Sequence, residues 1–442
     1  MLQRAVLWVL LAASSLPAMA ETLSANLPNG MKVIIKEDRR APVAVSRIRY
    51  EVGSADEEQG KTGLSHALEH MMFKGTERVP SGEFSRRVSA LGGSDNAYTN
   101  NTGTVYFETV AAKNLHEVLA MEADRMVNLN FSDDDFNNEM KVIREERRLR
   151  TEDSPGGALY EKLLRTLYSK PYNQAPVIGH MADLHALKPE DLRRWYRQWY
   201  VPNNATLVVV GDVDAAATMR TVEKLFGGIR ARALPERRDL SEAPRTAASS
   251  VSIRHNTRQP MFSSLYIVPK LTKIDDTMPY ALDMLSMVLS GNSSSRYSKK
   301  LVRGQAVALS ASAYYVGLGR GNGLFSLSGM PAEGVAAEKL HALMLDEIRH
   351  IAAEGVPEAE LEVIRRQSRA EKIYEKDAIS NQADLILTLE SAGLSYRDED
   401  ELDRRNLAVS SADIQAAAAL VLNSHAATGT VTSRQGEEGA LQ

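Results

Sequence analysis

Gly63–Leu64–Ser65–His66–Ala67–Leu68–Glu69–His70–Met71–Met72–Phe73–Lys74–Gly75–Thr76 is the stretch on which the reading of this chain turns. His66 and His70 are four residues apart, and on a helix that spacing puts both imidazoles on one face, one turn apart. Two such nitrogens, a third ligand and an open position suit zinc. Glu69 stands one residue before the second histidine. It can reach a water on the metal without being a ligand. Zinc lowers the pKa of such a water toward ~7, and a nearby carboxylate can take its proton. The order H-x-x-E-H reverses the H-E-x-x-H arrangement. Two histidines on a helix face are also compatible with an ordinary surface or core, so the rest of the chain has to decide.

The chain has 442 residues, enough for two or more domains, with 43% hydrophobic and 25% charged residues, the balance of a globular protein. A net charge of −4 gives no broad basic surface, which argues against a nucleic-acid partner. There is no cysteine, so disulfides and thiolate metal sites are excluded and His, Asp and Glu remain as zinc ligands. Residues 1–20 read as a signal peptide. Arg4 supplies the positive start, Ala5 to Ala13 the short apolar run, and Ala18–Met19–Ala20 the small-residue cleavage site. The mature chain is expected to begin at Glu21, to be periplasmic or secreted, and to have no membrane span.

Downstream, Met31 to Lys36 and Val43 to Val52 read as strands, and the metal helix runs from about Thr62 to Phe73. Ser81 to Leu91 is a second helix, closed by Gly92–Gly93. Ser94 to Thr99 and Thr104 to Val110 read as paired strands, and Asn114 to Leu129 as a helix. Ser132–Asp133–Asp134–Asp135 caps a further helix through Arg150. Glu139 and Glu146 lie two turns apart on that helix and share a face. Val142 and Ile143 near that face imply partial burial, and a buried carboxylate needs a partner, of which a metal is one. Ala205 to Gly211 is a continuous apolar run, read as a central strand, followed by a helix from Asp214 to Phe226. Leu234 to Ser250 is polar and carries Pro235 and Pro244, as a linker does. The domains are therefore placed at 21–235 and 251–442, with a linker at 236–250.

The second half repeats the first. Tyr280–Ala281–Leu282–Asp283–Met284 stands in the place of His66 to His70, and Glu360 to Gln367 in the place of Glu139 to Glu146. The repeat keeps the frame and replaces His66, His70 and Glu146 by Tyr280, Met284 and Gln367, none of them a zinc ligand of choice. Loss of just these positions in one copy points to a functional role for them in the other.

From about Leu27 to the C-terminus, the chain resembles the inverted-zincin peptidases that include insulin-degrading enzyme, pitrilysin and the mitochondrial processing peptidase. The markers are Val52–Gly53–Ser54, Gly63 to His70 and Phe73–Lys74–Gly75–Thr76. They continue with Asn96–Ala97–Tyr98–Thr99, Glu139 with Glu146, and Pro176–Val177–Ile178–Gly179. Tyr200–Val201–Pro202–Asn203–Asn204 and Val210–Gly211–Asp212–Val213 complete the set. Its length is similar to that of the short class. The resemblance implies an α+β fold of two homologous domains, each an antiparallel sheet with helices on one face, contributing to a clamshell around a cavity. It implies one zinc per chain held by His66, His70 and Glu146, with Glu69 as general base and Glu139 as a carboxylate beside the ligands. It also implies that a peptide or unfolded polypeptide adds as a strand along Asn96, Ala97 and Tyr98, held in part by the Asn96 side chain.

One position departs from the family pattern. Arg303 matches an arginine that relatives pair with a tyrosine seven residues later, but here that place is Ser310, and Tyr314 and Tyr315 are out of register. The site is then incomplete in one chain, which implies a homologous second subunit, with a heterodimer favoured over a homodimer. The expectation is a zinc metalloendopeptidase of the bacterial envelope. The alternative is a non-catalytic assembly or substrate-binding subunit, and the complete ligand set of the first half argues for the enzyme. Gly317 to Gly323 lacks the spacing and context of a nucleotide loop and reads as a hairpin or loop.

Overall fold

The computed structural model describes residues 22–433, so the expected signal peptide and its cleavage site lie outside the described residues. Among the described residues, eleven strands form two sheets. In chain order the first sheet comprises β1 (Thr22–Asn26), β2 (Lys32–Glu37), β3 (Val43–Tyr50), β4 (Ser94–Thr99), β5 (Thr104–Ala111) and β6 (Ala205–Gly211). The second comprises β7 (Ser249–His255), β8 (Met261–Val268), β9 (Ala308–Val316), β10 (Gly323–Pro331) and β11 (Ala427–Ser433). Their spatial orders, β1-β2-β6-β3-β5-β4 and β7-β11-β8-β10-β9, superpose once β1 is set aside. The internal repeat is thus a repeat of topology, and edge strand β4 corresponds to edge strand β9. Each sheet carries one parallel pair, β2 with β6 and β7 with β11, in an otherwise antiparallel order. Strand β7 begins inside the stretch read as linker, because Ser249 already pairs with Ala427.

The expected α+β halves are present, but helices cover both faces of each sheet. On one face of the first sheet Val33, Ile35, Ile48, Tyr106, Leu207 and Val209 pack against the helices of the same half, among them Leu64 and Leu68 of the metal helix. On the other, Ile34, Val45, Val105, Val208 and Val210 pack against Ala383, Ile386 and Leu387. Those three belong to helix Ile379–Ser391 of the second half. The exchange is reciprocal. Helix Pro155–Leu167 of the first half lays Leu159, Leu163 and Leu167 on Leu265, Ala427 and Val431 of the second sheet. A strand such as Ala205–Gly211, apolar at successive positions, needs cover on both sides, and the other half supplies the second layer.

Leu387 is 3% exposed and sits in that layer. Leu387→Ala is expected to lower unfolding free energy by about 2–5 kcal/mol, measured by denaturant titration. A loss within about 0.5 kcal/mol, the range of an ordinary surface change, would show that the exchange does not hold the halves together.

Candidate metal centre

The metal helix spans Leu64–Met71 and starts after Gly63, whose φ of 85° lies in the left-handed region. A Cβ there would come within 2.6 Å of the Ile178 carbonyl, so glycine is required by both backbone and space. Burying this face carries His66 and Glu69 inward with the apolar residues. The second helix, Asp133–Arg147, opens with a Ser132–Asp135 capping box and buries Phe136, Met140 and Ile143. Val142, expected on the buried side, is 52% exposed; Ile143, with Met140 and Phe136, anchors that side, and Glu146 is turned toward the histidines.

Glu146 Oε2 lies 3.7 Å from His66 Nε2 and 3.5 Å from His70 Nε2. One ligand atom from each of the three residues falls within 4.8 Å of the others. Tetrahedral zinc with bonds near 2.1 Å needs donors about 3.4 Å apart, so small side-chain rotations suffice. Glu146 Oε2 is buried with no hydrogen-bond partner among the described residues, as is His66 Nδ1. An orphaned carboxylate oxygen facing two imidazole nitrogens is costly unless a cation satisfies it. The residues present therefore fit a divalent metal. The local electrostatics agree. Burial, then the neighbouring His70, pushes the His66 pKa down to about 4, which keeps that imidazole neutral and able to donate to a metal. Burial also disfavours charge on His70, but its hydrogen bond to Glu139 and the nearby Glu146 carboxylate outweigh it and raise the pKa to about 9.

Glu139 accepts a hydrogen bond from His70 Nδ1 at 2.9 Å and forms an ion pair with Lys74. The His70 bond, with help from Lys74, takes its pKa down to about 2. It does not line the cavity; it fixes the ring so that Nε2 faces Glu146, which makes it a positioning residue. Glu69 accepts a hydrogen bond from Thr99 Oγ1, the last residue of edge strand β4. Burial raises the Glu69 pKa against that bond, which makes it a stronger base.

His66, Glu69, His70 and Glu146 open into a cavity of about 620 Å³ whose other wall includes Asn96, Ala97, Tyr98 and Thr99. The expected site is thus gathered at one place, with one exception. Arg303 is exposed in the second half, donates to the Ser293 carbonyl and does not border the cavity. Asn96 turns its side-chain oxygen back to the Ala97 N–H at 2.8 Å, which leaves its amide N–H groups as the donors to a substrate. In the second half the lost ligand positions have become ordinary structure. Tyr280 donates to the Ile274 carbonyl, Met284 is fully buried, and Gln367 accepts from Asn292.

Sequence reasoning missed the turn at 53–57, where three elements meet. The buried Glu57 carboxylate accepts the Gly63 and Ser65 N–H groups at 2.8 and 2.7 Å and so caps the metal helix. Ser54 and Ala55 N–H bond to Asn100 and Asn101, the turn that follows β4. Asp56 pairs with Arg320 at 3.0 Å, and Arg238 donates to the Glu57 carbonyl at 2.6 Å. Arg320 lies in the glycine-rich β9–β10 turn, which is a hairpin as expected, and Arg238 in the linker. The second half therefore grips the segment that orients both the metal helix and the edge strand. Nothing in the spacing of Glu57 or Arg320 announces this.

Two family models match the chain. Residues 32–179 match the model described as Insulinase (Peptidase family M16), and residues 186–368 the one described as Peptidase M16 inactive domain. The zinc protease PqqE of Helicobacter pylori is 31% identical over 369 residues, covering 82% of each chain. A protease structure from Helicobacter pylori superposes with a TM-score of 0.88 at 26% identity, covering 94% of this chain and 100% of that one. The periplasmic protease PqqL of Escherichia coli superposes at 0.77 with 19% identity, covering 94% of this chain and 48% of that one, a likeness of fold.

Proposed function

The chain belongs to the insulinase family of M16 peptidases, and from that membership we propose that it is a zinc-dependent endopeptidase acting on peptides or unfolded segments. The observation that carries the proposal is the single cavity in which His66, His70 and Glu146 converge, with Glu69 beside them and an uncovered strand edge opposite. His66, His70 and Glu146 would hold one zinc per chain, which supplies Lewis-acid activation of water and of the peptide carbonyl. β4 is an edge strand and offers its outer main-chain groups to an extended peptide once Asn96 releases the Ala97 N–H, and Tyr98 and Asn96 flank it. Glu69 takes the proton of the attacking water and passes it to the leaving amine. Thr99 ties the base to the strand, so a bound peptide and Glu69 share one support. Glu139 keeps His70 aligned.

The alternative, a non-catalytic assembly or substrate-binding subunit, is supported by the likeness of residues 186–368 to the M16 inactive domain but not by the first half, where His66, His70 and Glu146 stand together. We further propose export, with the mature chain starting at Glu21. The periplasmic location of PqqL supports it, and among the described residues no helix is long and apolar enough to cross a membrane. A homologous second chain closing the cavity remains part of the proposal, as a heterodimer before a homodimer, since Arg303 does not reach the site from within this chain.

The test is hydrolysis of an unfolded peptide by zinc-loaded protein recovered from the envelope, its N-terminus sequenced, alone and mixed with any homologous chain that co-purifies. Zinc-dependent turnover from a chain starting at Glu21, faster in the mixture, is the expected result. Absence of turnover in every mixture would favour the non-catalytic subunit, and equal rates alone and mixed would remove the need for a partner.

A further inference from the structure

Resting on the endopeptidase reading, we propose that Arg150 makes the site select substrates that present a carboxylate next to the cleaved bond. Arg150 follows the Glu146 helix in a π-helical turn, Arg148–Glu152. Its Nη1 lies 2.8 Å from Glu146 Oε1, on the oxygen turned away from the histidines. That contact places the guanidinium beside the carboxylate of a metal ligand. The side chain is nonetheless 74% exposed and borders the metal cavity. A guanidinium carries five N–H donors in a planar fork, and the contact with Glu146 leaves most of them for a ligand.

The charges around it are accounted for elsewhere. Arg147 is spent on the Gly179 carbonyl and Glu161, and Arg148 on Glu145 and Asp153. Glu161, which also borders the cavity, is held by Arg147 and Arg165. Glu69 and Glu146 are the other carboxylates of the lining, and a divalent cation at the three ligands offsets both. The edge strand opposite, Asn96 to Thr99, contributes no charge. Arg150 is then the unbalanced charge of the loaded cavity. A peptide lying on β4 with its scissile bond at the metal brings a neighbouring carboxylate to a pre-placed bidentate partner, while a lysine or arginine there meets repulsion. The carboxylate can belong to an Asp or Glu side chain or to a free C-terminus.

The experiment compares otherwise identical C-amidated peptides carrying Glu, Ala or Lys beside the cleaved bond, and a Glu-free peptide with a free or an amidated C-terminus. For the native protein kcat/KM is expected to favour the carboxylate over Lys by about 10- to 100-fold, the usual weight of one charge-assisted pair against one repulsion. The ratio should fall toward one in Arg150→Gln, invert in Arg150→Glu and persist in Arg150→Lys. Because each ratio is taken within one variant, partial loss of zinc cancels. Binding of the same peptides to zinc-loaded Glu69→Gln protein, read by fluorescence anisotropy, tests the selection without turnover. A preference among the amidated peptides assigns the side-chain carboxylate, and one confined to the free terminus assigns the main-chain one. A native ratio near one in both turnover and binding, or a ratio unchanged in Arg150→Gln, overturns the proposal. Lack of any turnover with a clear carboxylate preference in binding counts against the endopeptidase reading and leaves Arg150's selection standing.

Discussion

Glu69→Gln is expected to keep the fold and the zinc and to lose hydrolysis by about 10²–10⁴-fold, the range that a general base contributes. The amide has almost the shape of the carboxylate. It can still accept the Thr99 hydroxyl hydrogen bond, so the helix and the strand edge stay coupled. What it cannot do is take a proton. The environment is arranged for that step: burial raises the Glu69 pKa, and the carboxylate is placed on the cavity side between the two histidines in sequence. Zinc content, far-ultraviolet circular dichroism and turnover measured on one preparation separate the outcomes. A variant with full zinc and most of its activity would remove Glu69 as the base. A variant without zinc would mean that Glu69 supports the metal, which its contacts give no reason to expect.

The core of this site could be read from the chain because its chemistry is local. His66, Glu69 and His70 sit within one helical turn, and the second half erased the ligands while keeping their frame, so the comparison was internal. Strand β4 was readable to its ends because Gly92–Gly93 precedes it and the Asn100–Gly103 turn follows. What escaped depends on tertiary placement. Leu159 and Leu387 belong to amphipathic helices whose apolar faces look like any other, and only the structure shows that each covers the sheet of the opposite half. Glu57 sits among Asp56 and Glu58 with no pattern to mark it, yet it is 3% exposed and caps the metal helix. Arg303, matched by sequence register, does not border the cavity within this chain, and register alone could not have told which chain's site it would face.

Glu146→Gln and His70→Ala are expected to lose zinc, and hydrolysis with it, whereas Glu139→Gln should weaken zinc by about 10–100-fold, the effect of removing a group that orients a ligand. The grading follows from geometry. Glu146 presents an unpaired buried oxygen to both imidazoles, and an amide there offers a neutral, weaker donor at the same place. His70 presents Nε2 toward the same point, and alanine offers no ligand atom there; Glu139, released from Nδ1 in that variant, is still held by Lys74. Glu139 acts only through the ring it holds. The second half already contains the outcome in part: with Gln367 in the place of Glu146, the amide is tied to Asn292 and serves as structure. Zinc per chain after dialysis, and release rates against a chelator, order the variants independently of turnover. Full zinc in both Glu146→Gln and His70→Ala would dismiss the three-residue centre. Equal loss in Glu139→Gln and Glu146→Gln would mean that Glu139 is itself a ligand, displacing the role that its 2.9 Å bond to His70 Nδ1 gives it.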